Sequence, residues 1–109
     1  MRYMMMTKND PNHPNTPPSP EMYAAMGKLI EELTKTGALL ATGGLGLNPT
    51  RIKSSGGKIS VVDGPFTEAK EAVVGFALVE ARTKEEAIEL SKRFWQVVGD
   101  GQGEIYEVF

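Results

Sequence analysis

The ten residues Ala72-Val73-Val74-Gly75-Phe76-Ala77-Leu78-Val79-Glu80-Ala81 decide the fold. Eight of them, Ala72 to Val79, form the longest uninterrupted apolar stretch of the chain. Successive side chains of a strand point to opposite faces. One face then offers Val74, Phe76 and Leu78, and the other Val73, Gly75, Ala77 and Val79. A strand that is apolar on both faces belongs inside a sheet covered on both sides. The stretch falls far short of the roughly 20 apolar residues that span a bilayer.

Downstream of this strand, Thr83 and Glu86 stand in capping-box spacing and open a helix. Ala87, Ile88, Leu90, Ser91, Phe94, Trp95 and Val98 supply its inward side at helical spacing. Gly99-Asp100-Gly101-Gln102-Gly103 reads as the helix stop, and Ile105 to Phe109 as a last strand. Upstream, Asp63-Gly64-Pro65 forces a turn. Before it, residues 50–62 form a hairpin insert around Ser54-Ser55-Gly56-Gly57.

Toward the start of the chain, Ala38 to about Thr42 makes a second strand ending in Gly43-Gly44-Leu45-Gly46. That run lacks the Lys-Ser/Thr of a phosphate loop, so a tight turn or a close approach to a neighbouring subunit is the simpler role. A helix precedes it, with Ser19 as N-cap and Pro20 at the first helical position. Met22, Met26, Leu29, Ile30 and Leu33 form its apolar stripe, and Gly37 ends it. Residues 8–20, with prolines at 11, 14, 17, 18 and 20, form a long loop. Tyr3 to Thr7 opens the chain as a strand.

The order is βαβ, a hairpin insert, then βαβ. Two split βαβ halves predict a ferredoxin-like α+β fold, an antiparallel sheet with both helices on one face. The second, apolar face of that sheet calls for a second copy packed against it, giving a dimeric α+β barrel. Residues 1–109 suit one domain.

Composition removes several function classes. Twelve Lys and Arg against fourteen Asp and Glu leave a net charge of −2, the wrong sign for a phosphate-binding face, so no direct nucleic-acid contact is expected. With no cysteine, disulfides, cysteine-ligated zinc, iron–sulfur clusters and thiol catalysis are excluded. One histidine, His13, cannot build a multi-histidine metal centre, and no cofactor is expected. With no secretory start or membrane span, a soluble cytoplasmic protein is expected.

The run Asp63-Gly64-Pro65-Phe66-Thr67-Glu68-Ala69-Lys70-Glu71 carries a resemblance. With Gly37-Ala38-Leu39-Leu40 leading into Gly44-Leu45, Gly75-Phe76, Glu85-Glu86-Ala87-Ile88 and Glu107-Val108, it resembles the DGPF branch of the YCII-related family over nearly the whole chain. The resemblance implies a ferredoxin-like subunit in a dimeric α+β barrel. Activity across the family is mostly unassigned. Some members accompany extracytoplasmic-function sigma factors, and a few wider relatives are enzymes acting on small aromatic or cyclic compounds. Enzyme-like relatives pair a histidine of the first helix with the aspartate of the turn. In this chain the matching helix position is Met26.

Asp63 is therefore the first candidate residue, as a general base or polar anchor beside a cleft, or as a turn-holding Asp bonded to nearby backbone amides. His13 could join it as a base titrating near neutrality. Lys70, Glu71, Phe66 and Leu45 are candidate ligand contacts, although Glu68, Lys70 and Glu71 suit structural pairing and Phe66 suits a core plug. Trp95 suits core filling. Three functions follow: a small-ligand-binding or regulatory homodimer, a cofactor-free lyase or isomerase using Asp63 with Lys70 or Glu71, and an accessory module for a sigma factor.

Overall fold

The computed structural model describes residues 1–9, 18–46, 48–64, 66 and 72–109. Its elements run β1 (Arg2–Lys8), α1 (Pro20–Lys35), β2 (Leu39–Gly44), β3 (Thr50–Ser55), β4 (Lys58–Asp63), β5 (Val73–Glu80), α2 (Lys84–Val98) and β6 (Gln102–Val108). The main sheet has the strand order β2-β5-β1-β6 with every pairing antiparallel, and β3 pairs with β4 in a separate two-stranded sheet. This is the α+β arrangement the two split βαβ halves predict.

Each helix starts where a side chain can cap it. Ser19 Oγ accepts from the Met22 amide at 3.1 Å, and Thr83 Oγ1 from the Glu86 amide at 3.1 Å. Such caps satisfy amides that a helix's first turn leaves without partners. Leu29 and Leu33 of α1 and Ala87 of α2 press onto Tyr3, Met5, Leu39, Ala77 and Val79, which share one face of the sheet. The Met4-Met5-Met6 run is split by strand alternation: Met5 enters this core, while Met4 and Met6 stay half-buried on the other face.

That other face is apolar along its centre. Cross-strand register aligns Ala41, Leu78, Met4 and Tyr106 in one row and Gly43, Phe76, Met6 and Glu104 in the next. Neither helix packs there. At one end Lys8 Nζ lies 2.7 Å from Glu104 Oε1, and at the other Arg2 Nε lies 3.5 Å from Glu80 Oε2. Glu80 also holds the N-terminal ammonium of Met1 at 2.9 Å, so an apolar strip lies between two ion-paired ends.

Three sequence-based expectations change. Strand β2 runs on through Gly43 and Gly44, so these glycines form neither a tight turn nor a loop. The Phe76 ring lies against Gly43, where a Cβ would sit 3.1 Å from it. Strand β6 begins at Gln102 rather than Ile105. Phe66, expected as a core plug, lies outside the core; the Arg51 guanidinium stands 3.8 Å above its ring centroid, a cation–π contact. The hairpin turns on Gly56 and Gly57, whose φ values of 58° and 79° are those of a two-residue type I′ turn. No described helix is long and apolar enough to cross a membrane.

Candidate functional site

The site is built on one row of the sheet. Thr7 of β1 pairs with Gly75 of β5 on one side and Gly103 of β6 on the other, and Gly75 pairs in turn with Gly44 of β2. Three of the four positions in this row lack a side chain. A glycine inside a strand weakens the ladder and commonly marks a close approach. Here the row leaves empty space between the sheet and the helices.

That space is a cavity of about 450 Å³. Its floor is Thr7, Gly44, Gly75 and Gly103, with Met5, Ala77 and Ile105 toward the core. Met26 and Ile30 of α1 form one wall, and Ser91, Phe94, Trp95 and Val98 of α2 the other. Trp95 is half-buried and packs over β6, so a Cβ at Gly103 would lie 2.9 Å from its ring. The chain's single tryptophan is thus a cavity wall rather than a core filler.

The lining is chemically quiet. Polar side chains on this face come from Thr7, Thr42 and Ser91; Glu104 borders the cavity from β6, but its side chain lies on the other face of the sheet with Lys8. Thr42 Oγ1 donates to the Phe76 carbonyl at 2.9 Å. Glu104 is engaged by Lys8 and accepts from the Tyr106 hydroxyl at 2.8 Å. Hydrogen bonding to Lys8, and secondarily to Tyr106, holds the Glu104 carboxyl below its usual range, and the same contact raises Tyr106. Thr7 and Ser91 remain as hydroxyls able to meet a ligand. Elsewhere burial, reinforced by Glu107 and Glu85, raises the Tyr3 hydroxyl at the far end of the core. Among the described residues no cluster of acidic and histidine side chains is arranged to hold a metal ion.

The sequence-based candidates fall elsewhere. Asp63 is exposed at the foot of the hairpin, where its Oδ1 accepts from Thr50 Oγ1 at 2.8 Å. The Gly64 amide donates to the Pro49 carbonyl at 2.8 Å beside it. Asp63 thus holds the hairpin base through a cross-strand hydroxyl and does not line the cavity. Phe66 lies beneath Arg51, outside the cavity, and Leu45 is exposed, its amide donating to the Val74 carbonyl at 2.9 Å. His13, Glu68, Lys70 and Glu71 lie outside the described residues. The residues that line the cavity, Thr7, Met26, Gly75, Ser91, Trp95 and Gly103, were not foreseen as a group. The available signal was the strand glycines, which gather only once register is known.

No curated protein matches this sequence. Among solved structures the chain is similar to the 5-chloro-2-hydroxyhydroquinone dehydrochlorinase of Burkholderia phenoliruptrix AC1100, solved in complex with 2,5-dihydroxybenzoquinone. The likeness has a TM-score of 0.54 and 14% identity over 100% of this chain and 94% of the other. Identity that low speaks to the fold alone. The sequence model of the YCII-related domain matches residues 1–109, and the chain belongs to that family.

Proposed function

We propose that the chain is a small-ligand-binding domain whose cavity takes a neutral, largely apolar, ring-sized molecule. The observation that carries this reading is the Gly44-Gly75-Thr7-Gly103 row, which clears a flat floor beneath Met26 and Trp95. A volume of about 450 Å³ lies within the usual range for small-molecule sites. Burying an ion without a partner is costly, and among the described residues no charged side chain faces the cavity, Glu104 pairing with Lys8 on the other side of the sheet. The reading is binding rather than turnover because Met26 offers no proton and Asp63 stands outside the cavity.

A second copy completes the assembly in this proposal, its sheet lying on the Met4, Phe76 and Leu78 face. The apolar centre of that face favours this, since a twofold partner presents the same apolar surface to it. The motif at Asp63 to Glu71 supports placement in the DGPF branch.

Trp95, as sole tryptophan, reports the cavity directly. Titration with phenol and hydroquinone should change its fluorescence saturably, and benzoate should not. Ser91→Phe, which fills the wall, should abolish the change. Unsaturable responses, or benzoate binding as well as phenol, would refute the reading.

A further inference from the structure

The β3–β4 hairpin is a projecting arm whose apolar face no described residue covers. It pairs with no strand of the main sheet. Its register places Ile52, Ile59 and Val61 on one face, and they are 69%, 72% and 64% exposed. The Cα radius of gyration is 15.9 Å, against about 13 Å for a compact chain of this length. A two-stranded hairpin alone is marginal in water. This one is nonetheless held in shape at its foot, by Thr50 to Asp63 and by Arg51 over Phe66.

We propose that the arm is a dimer clasp that lays its Ile52, Ile59 and Val61 face on the body of a second copy. This rests on the paired-sheet reading above. Two quantities select that occupant. The outer face of four strands, about 4.8 Å apart and about 24 Å long, projects only about 450 Å² per subunit. Two such faces bury about 900 Å², below the roughly 1,200–2,000 Å² of stable interfaces. Two arms, each about 10 by 20 Å and covering as much of the partner as of itself, add about 800 Å² and bring the total into that range.

Charge then selects the partner's body over its arm. Residues 50–63 carry Arg51, Lys53 and Lys58 against Asp63, a net +2, which leaves −4 on the rest of a chain of net −2. Register sets the three cations on the face opposite Ile52, Ile59 and Val61, so they stay in solvent when that face docks, and two arms of like charge repel each other.

Sedimentation equilibrium tests the clasp on three proteins: the unmodified chain, the double variant Ile52→Ser/Val61→Ser, and Leu78→Glu on the sheet face. The clasp predicts a dimer weakened about tenfold or more in the double variant, with unchanged circular dichroism. It also predicts loss of the dimer in Leu78→Glu. If the double variant dimerises as tightly as the unmodified chain while Leu78→Glu dissociates, the clasp is wrong and the paired sheet stands. A monomeric unmodified chain overturns both. As an independent measurement, Ile59→Cys carrying a benzophenone maleimide should photocrosslink to residues 1–46 or 73–109 of the second copy. Cross-links between arms, or none within a dimer, overturn the clasp. So does capture of the arm by added acidic peptide or RNA with no effect on the dimer.

Discussion

Thr7 and Gly75 face one another across the central pair of strands, and a methyl group at position 75 would lie 2.7 Å from Thr7 Oγ1. That separation is a clash, and a β-branched residue has few alternative χ1 positions for moving its hydroxyl aside. Gly75→Ala should therefore cost about 1–3 kcal/mol, the usual penalty for overpacking. The double variant Thr7→Ala/Gly75→Ala should recover most of that loss. Urea denaturation of the four proteins of this cycle measures the coupling, and additive effects would show that the two positions do not meet.

The other glycines of the row are not equivalent. A Cβ at Gly103 would run into the Met6 carbonyl oxygen and come within 2.9 Å of Trp95, whereas one at Gly44 meets only the Val74 carbonyl oxygen, at 3.9 Å. Gly103→Ala should thus destabilise at least as much as Gly75→Ala and shift the Trp95 emission. Gly44→Ala should stay within about 0.5 kcal/mol of the unmodified protein, as ordinary surface changes do. Equal losses at both positions would mean that the space above each glycine does not govern the row.

The order of elements was legible because it rests on local chemistry. Ser19, Thr83 and the Gly56-Gly57 turn act within a few residues of themselves, and the apolar run through Phe76 carries its own period. The cavity was not legible, because Thr7, Gly44, Gly75 and Gly103 come from four strands and meet only through register. Gly103 also misled: glycine is depleted in strands, so Gly101 to Gly103 read as a stop although β6 already includes Gly103. The place of Asp63 was hidden for a different reason. Its motif marks a turn, but no sequence pattern tells how far that turn stands from the helices.

Glu104 supplies a pH dependence. Its carboxyl is held below the usual value of 4.5, first by the hydrogen bond from Lys8 and then by that from Tyr106. A carboxyl depressed by folding stabilises the folded state fully above its unfolded value, and that contribution disappears as pH falls through the depressed one. Tyr106→Phe removes one of the two bonds. The Glu104 titration, followed by NMR of its side-chain carboxyl carbon, should then move upward toward 4.5, and the acid loss of stability should begin at higher pH. An unmoved titration would mean that Lys8 alone sets it.

Asp63 and Thr50 close the foot of the arm, at 2.8 Å and in solvent. An exposed hydrogen bond contributes little to global stability, so Asp63→Ala should leave the main sheet intact. Its effect should be local. Amide exchange across residues 50–62 should accelerate severalfold as the arm frays, while exchange in β1 and β5 stays unchanged, because local opening draws on local contacts. Phenol or hydroquinone binding reported by Trp95 should be unaffected, since Asp63 does not touch the cavity. An Asp63 that anchored ligand would behave in the opposite way: binding would fall in Asp63→Ala, and exchange in the hairpin would not change. Measuring both quantities on one variant therefore separates a foot for the arm from a residue of the site.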